Sequence, residues 1–310
     1  MTSIPLPRLV RRLAWLLAWG VLAWLIVSAI VAWRLTHRFA PPAAEPAPQV
    51  DWARFEELRL ETTDGESLGA WLVRHETPVG SALVLHGIRG SRSGGRALIK
   101  RLHGHRLNVL AITLRGHGDS TGDVIDFGYG SRFDVTAGID ALRRECPEKP
   151  VFVFGQSLGA AAVLYAADHL DDRVAGVLLE HPYRDLNSAV WHRLSMHLPP
   201  GFDYLAYAGL RIWEPVFLTV PSNELAPQNY ISKLPASLPV VLLNGAEDRR
   251  APVEETRELG ARAPRLLQFI EVPQVGHVPL SGAAPKLYDE AVDLLLRTGL
   301  EDALRASEAY

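Results

Sequence analysis

The chain has 310 residues, 48% of them apolar, and a formal net charge of −3. That length holds one large or two medium domains, and the scattered Lys and Arg exclude a nucleic-acid footprint past the N-terminal region. A single cysteine, Cys146, excludes an intramolecular disulfide and a thiolate metal cluster and leaves the redox compartment open.

Residues 1–12 read as a basic tail carrying Arg8, Arg11 and Arg12, followed at 13–33 by a stretch without a charge. About twenty such residues cover the roughly 30 Å of bilayer hydrocarbon, so the stretch is expected to be a transmembrane anchor. Trp15, Trp19, Trp24 and Trp33 lie in or at the edges of it, and those nearest the ends suit the interfaces. A cleaved signal peptide is the competing reading. Its apolar region is usually about half as long, yet Ala43, Ala44 and Ala47 offer small residues for a cleavage site. The slight excess of Arg before the span, against Arg34 and Arg38 after it, places the N-terminus in the cytoplasm. The expectation is a single-pass protein of the cell membrane with its domain outside. Residues 34–50, rich in Pro and Ala from 40 to 49, read as an extended linker that holds the domain off the bilayer.

The remainder, 51–310, reads as one domain. Residues 55–62 and 68–74 flank Asp64-Gly65, a turn pair that admits positive φ, which predicts a β-hairpin. Short apolar runs follow at 82–85, 109–114, 151–154, 174–179, 240–243 and 267–272. Between them lie apolar residues at helical spacing, such as Val135, Ile139 and Leu142, or Val292, Leu295 and Leu296. Buried strands alternating with crossover helices predict an α/β fold with a mostly parallel sheet flanked by helices. Residues 181–235, with Trp191, Phe202, Tyr204, Tyr207, Trp213 and Phe217 and several prolines, break the rhythm and read as a short cap insertion.

Directly after the run 151–154 comes Gly155-Gln156-Ser157-Leu158-Gly159 and then a helical stretch. This is G-x-S-x-G in its strand–turn–helix context: a sharp turn strains the serine backbone, and glycine two residues to either side avoids collisions across it. Ser157 is the candidate nucleophile. It needs a base to take its proton and an acid to orient that base. Of eleven histidines, only His277 follows the final apolar strand. The acid should lie between them in chain order at a strand end. Asp248, after the run 240–243, is the choice, with Glu180 at the end of 174–179 as its rival. Taken singly, each has a plain structural reading: Ser157 as a turn residue, His277 as a surface histidine, Asp248 as a helix cap. Together those readings require three coincidences in the right order. The oxyanion hole is assigned to the backbone N–H groups of Leu158 and Ile88, the latter in the loop His86-Gly87-Ile88-Arg89-Gly90-Ser91. His86 reads as a residue that fixes this loop, and Arg115-Gly116-His117-Gly118-Asp119-Ser120 as scaffolding.

These five loops together resemble the α/β-hydrolase superfamily over about 55–299. The anchor, short cap and Arg-Gly-His-Gly-Asp-Ser loop are similar to membrane-anchored ABHD-type serine hydrolases, a group of lipases, thioesterases and relatives of the prolyl oligopeptidase clan. Arg249-Arg250 after the acid departs from the small or apolar residue common there, and reads as a solvated pair or as a preference for an anionic substrate.

The resemblance implies a serine esterase of carboxylesterase or lipase type that acts through an acyl-enzyme and needs neither a metal nor an organic cofactor. The aromatic-rich insertion beside an anchor points to a small-molecule or lipid ester as its partner. A serine peptidase is the alternative, and an inert tethered binding protein a third reading; the latter is expected to lack a triad member, and none is missing.

Overall fold

The computed structural model describes residues 8–170 and 174–308; residues 1–7 of the basic tail lie outside this range. Eight strands build one sheet: β1 (Phe55–Glu61), β2 (Ser67–Val73), β3 (Gly80–Leu85), β4 (Leu107–Ile112), β5 (Val151–Gln156), β6 (Val174–Glu180), β7 (Val240–Gly245) and β8 (Leu266–Val272). Nine α-helices accompany them among the described residues. These are α1 (Arg8–Thr36), α2 (Arg96–Gly104), α3 (Arg132–Glu145), α4 (Leu158–Tyr165), α5 (Leu186–His197), α6 (Phe202–Phe217), α7 (Val253–Gly260), α8 (Leu280–Ala283) and α9 (Pro285–Glu308).

The strand order is β1-β2-β4-β3-β5-β6-β7-β8, antiparallel at β1/β2 and β2/β4 and parallel from β4 onward. The expected hairpin is β1/β2, with Gly65 at φ 94° in its loop. Strands β3 to β7 are almost wholly buried, because helices cover both faces. Val135 and Ile139 of α3 and the apolar α4 pack on one face. Ile99 and Leu102 of α2 and Tyr288, Val292 and Leu295 of α9 pack on the other. This is the α/β-hydrolase fold. The cap between β6 and β7 consists of α5, α6 and short 3₁₀ turns, with Asp185 capping α5 by accepting from the Ser188 N–H.

Helix α1 is the one described helix long and apolar enough to cross a membrane, by length and composition. At 29 residues it is about 43 Å long at 1.5 Å per residue. Its C-terminal half does not stand free. It packs along α6, where Ser28 meets Gly209 so closely that a Cβ at 209 would overlap the hydroxyl. The indole N–H of Trp24 donates to the Leu205 carbonyl at 3.2 Å, and that of Trp213 to Leu25 at 3.1 Å.

Residues 34–50, expected to be an extended linker between the apolar helix and the domain, are fastened to that domain. The Arg38 guanidinium donates to the carbonyls of Gly118, Ser120 and Gly122. Glu45 accepts from Thr113 at 2.6 Å and pairs with the buried Arg92 at 2.9 Å, while its carbonyl takes the Trp71 indole N–H at 3.2 Å. Pro and Ala do make the segment extended, but polar anchors at both ends fasten it to the loop after β4.

Candidate active site

Ser157 stands between β5 and α4 at φ 51°, ψ −105°, a conformation that costs a non-glycine residue about 1–3 kcal/mol. The neighbouring glycines explain how the turn is tolerated. A Cβ on Gly155 would lie 2.8 Å from the Gly159 carbonyl oxygen, and one on Gly159 would lie 2.6 Å from that of Leu85. The Ser157 N–H donates to the Glu180 carbonyl at 2.8 Å, tying the turn to the end of β6. Leu158 begins α4, so its N–H is among the donors a helix leaves unsatisfied at its start.

The structure brings Ser157, His277 and Asp248 together. His277 Nε2 lies 3.1 Å from Ser157 Oγ, and its Nδ1 lies 2.7 Å from Asp248 Oδ2. Asp248 Oδ1 accepts from the N–H groups of Arg250 and Ala251 at 2.8 and 3.0 Å. Burial alone would raise the Asp248 carboxyl, but hydrogen bonds from His181 and His277 outweigh it and hold it below the usual carboxylate range. Burial lowers His277 below its ordinary value; Asp248 opposes this, and the neighbouring His181 adds to it. His277 is therefore a neutral imidazole at pH 7, with Nδ1 as donor to the carboxylate and Nε2 as acceptor toward the hydroxyl.

Glu180 is placed elsewhere. Its Oε2 accepts from the Leu280 N–H at 2.9 Å, the first residue of α8, so it fastens the chain just beyond His277. Burial raises its pKa.

His181 is a residue that sequence reasoning passed over. It follows β6 at φ 50° and is fully buried. Its Nδ1 lies 2.8 Å from the same Asp248 Oδ2 and 2.5 Å from Asn244 Oδ1, while Nε2 donates to the Val278 carbonyl at 2.8 Å. A carbonyl accepts, so Nε2 carries a proton; a carboxylate on Nδ1 then favours the doubly protonated ring, and Asp248 raises its pKa against the lowering effect of burial. One carboxylate oxygen thus serves two imidazoles whose ring centres are 4.7 Å apart. His181, Asp248 and His277 are also close enough to hold a metal ion, their ligand atoms lying within 4.8 Å of one another. The hydrogen bonds among these atoms already account for the grouping.

The loop after β3 is set by two histidines. His86 Nδ1 donates to the Gly87 carbonyl at 2.7 Å and its Nε2 accepts from the Leu114 N–H at 3.0 Å. Burial pushes His86 down to about 3, so it stays neutral and holds the loop. His117 Nε2 accepts from the Arg89 N–H at 3.2 Å. Between these pins, Ile88 lines the same cavity as Ser157 and Leu158, and a Cβ on Gly87 would lie 3.5 Å from that of Ser157. Asp119 and Arg115 sit in ion pairs with Arg92 and with Asp64 and Asp134, which fits the scaffolding role expected of their loop.

Ser157 opens into a cavity of about 720 Å³. Its walls come from the cap helices α5 and α6 and from α1, which contributes Trp24, Val27, Ser28, Val31 and Leu35. Arg89, Arg193 and Arg250 also line it, and among the described residues no Asp or Glu does.

The family described as "Serine aminopeptidase, S33" matches residues 76–210. The uncharacterized protein YfhR of Salmonella typhi is 25% identical over 266 residues, covering 80% of this chain and 83% of that one. An uncharacterized protein of Mycobacterium tuberculosis is 28% identical over 243 residues, 76% of this chain and 78% of its own. Among solved structures, the Pyrococcus furiosus esterase Pf2001 superposes with a TM-score of 0.65 at 23% identity, over 83% of this chain and 97% of that one. The sheet order, the strained serine turn between β5 and α4 and the likeness to that solved structure agree: the chain has the α/β-hydrolase fold.

Proposed function

We propose that the protein is a membrane-anchored serine esterase that hydrolyses carboxylic or thio esters of apolar acyl chains, with Ser157 as nucleophile, His277 as base and Asp248 as the acid that orients it. The reading rests on one arrangement above all, the hydrogen-bonded line from Ser157 Oγ through His277 to Asp248 at the wall of a largely apolar cavity. In the reaction, Oγ attacks the ester carbonyl carbon while His277 Nε2 takes the hydroxyl proton. The N–H groups of Ile88 and Leu158 hold the resulting oxyanion. Collapse breaks the bond to the alcohol, which leaves with the proton from His277, and water attacks the acyl-enzyme by the same route in reverse. His181 stays protonated on Nε2 and shares the Asp248 carboxylate, a positioning residue outside the proton path.

Two observations support a lipid-like substrate. The cavity is walled by apolar side chains of α1 as well as of the cap, so an acyl chain on Ser157 would lie against the helix that we read as spanning the bilayer. Helix α6, which packs along α1, also exposes Phe202, Tyr204, Leu205, Ile212 and Val216. Such an apolar face suits the interface region of a membrane. With the N-terminus inside, the catalytic domain is extracytoplasmic. The peptidase alternative draws on the name of the matching family. An aminopeptidase needs an acid for the substrate ammonium, whereas the described residues of this cavity include arginines and no acid.

The test is fluorophosphonate labelling and p-nitrophenyl ester hydrolysis by the full chain in detergent, wild type against Ser157→Ala. Both signals are lost in the variant, and activity rises from acetyl to octanoyl esters. Full labelling of Ser157→Ala overturns the nucleophile; cleavage of dipeptidyl amides but not of esters overturns the substrate class.

A further inference from the structure

Three arginines line the cavity beside Ser157, and their charges are unspent. Arg89 follows Ile88 directly and holds a left-handed backbone, φ 62°. Its guanidinium lies over the Phe39 ring at 4.3 Å, and no carboxylate pairs with it among the described residues. Arg250 lies two residues beyond Asp248 and is exposed. Arg193 projects from α5 in the cap, and its Nε is buried without a hydrogen-bond partner.

An unmade hydrogen bond on a buried Nε is expensive, and a ligand at this site would offset it. Asp248, the carboxylate nearest in chemistry, is spent. Its two oxygens already accept from His181, His277 and the N–H groups of Arg250 and Ala251. Burial lowers the pKa of Arg193, and the nearby charges of Arg250 and Arg89 lower it further, which sets the three cations within one field. Several other arginines meet a carboxylate: Arg92, whose buried Nε likewise lacks a partner, Arg101, Arg115 and Arg265 each contact one at 2.5 to 2.6 Å.

We propose that Arg89, Arg193 and Arg250 form an anion subsite at the mouth of the cavity, so that the substrate is an acyl ester bearing a phosphate or carboxylate group close to the scissile bond. The inference rests on the esterase reading for the position of that bond. The apolar chain runs along α1, α5 and α6, and the anion meets guanidinium groups whose planar donors match its oxygens. The same charges would repel a cationic head group or a free amino terminus. A lipid head group and a soluble phosphorylated ester offer the same anion, and chain length separates them.

The experiment has a kinetic arm and a binding arm, both on the full chain in neutral detergent micelles. In the first, kcat/KM is measured for 1-dodecanoylglycerol 3-phosphate against 1-dodecanoylglycerol, and for the butanoyl pair. The phosphate ester is preferred at least about tenfold, and Arg193→Gln and Arg250→Gln each lower that ratio by about tenfold, the expected loss of a hydrogen bond to a charged group. Arg193→Lys retains more of the ratio than Arg193→Gln. A preference confined to the dodecanoyl pair supports a lipid, and one shared by both pairs supports the subsite for soluble esters as well. A wild-type ratio near one, or a ratio that survives both Gln variants, overturns the subsite. In the second arm, dodecyl phosphate is titrated calorimetrically into Ser157→Ala, where turnover plays no part. Binding weakens about tenfold on adding Arg193→Gln or Arg250→Gln. If the chain hydrolyses none of the four esters but this difference is found, the esterase reading fails and the anion site stands. Binding that is equal in all variants overturns the site even if the chain is an active esterase.

Discussion

Replacing Asp248 by Asn isolates the contribution of one charge at nearly constant shape. The structure makes the substitution severe, because both carboxylate oxygens face only donors. Oδ2 accepts from Nδ1 of His277 at 2.7 Å and of His181 at 2.8 Å, and Oδ1 from two backbone N–H groups at 2.8 and 3.0 Å. An amide NH₂ has no place in either position. Turned toward Oδ1, it confronts the N–H groups of Arg250 and Ala251. Turned toward Oδ2, it forces His277 to present a bare Nδ1 and therefore an Nε2–H, which points a proton at Ser157 Oγ where a lone pair is required. The wrong tautomer lowers kcat by about 10⁴-fold, about 5.5 kcal/mol in the barrier, with KM little changed. The mismatch also costs about 1–3 kcal/mol of stability, so a melting curve must accompany the kinetics. Stopped assays with a short p-nitrophenyl ester give both constants. A folded Asp248→Asn enzyme within tenfold of wild type would refute the reasoning, and a large loss in Glu180→Gln beside it would move the acid to the end of β6.

Because His277 sits below its ordinary value of 6.5 and must be neutral to accept a proton, kcat/KM should rise with pH through an apparent pKa below 6.5 and hold through neutrality; an inflection above 7 contradicts this. In His181→Asn the kinetic pKa should move up, since His181 lowers His277, whereas a purely structural role for His181 would reduce activity without moving the profile. Gly159→Ala drives a Cβ to 2.6 Å from the Leu85 carbonyl oxygen and 2.7 Å from its Cβ, and should cost about 3 kcal/mol or more, read as a lowered Tm or loss of soluble protein. Gly209→Leu should part α6 from Ser28 of α1 and lower kcat/KM for dodecanoyl esters more than for acetyl esters; equal loss on both would show that α1 does not shape the acyl site.

Much of the sheet was legible because each buried strand is a short apolar run, and the expected runs fall within one or two residues of β3 to β8. The serine turn was legible because its pattern is contiguous: Gly155 answers a collision inside the turn, although Gly159 makes room for Leu85 of β3. The hairpin, too, is local. What sequence did not yield depends on contacts between distant segments. His181 and Asp248 are 67 positions apart and meet because β6 and β7 are neighbours in the sheet; the signal available was that His181 sits at a strand end, the same position that nominated Asp248. Asp248 was the choice and Glu180 its rival because both sit at strand ends, and the direction of their side chains separates them. The stretch after the apolar helix looked like a spacer because composition reports stiffness but not partners, and the partners of Arg38 and Glu45 lie between 26 and 84 residues onward. Likewise, nothing in the periodicity of 13–33 distinguishes a helix that only anchors from one that also walls a cavity.

The fastening of Arg38 and Glu45 to the loop after β4 has a kinetic meaning. With α1 as the proposed anchor and residues of that same helix walling the cavity, the site is held at a fixed depth relative to the leaflet into which α1 runs. Catalysis then becomes a two-dimensional encounter. Velocity should follow the mole fraction of substrate in that leaflet and fall when inert lipid dilutes it, even at constant bulk concentration. Cutting the clamp with Arg38→Ala and Glu45→Ala, and parting α1 from α6 with Gly209→Leu, would loosen this hold and weaken the dependence on mole fraction.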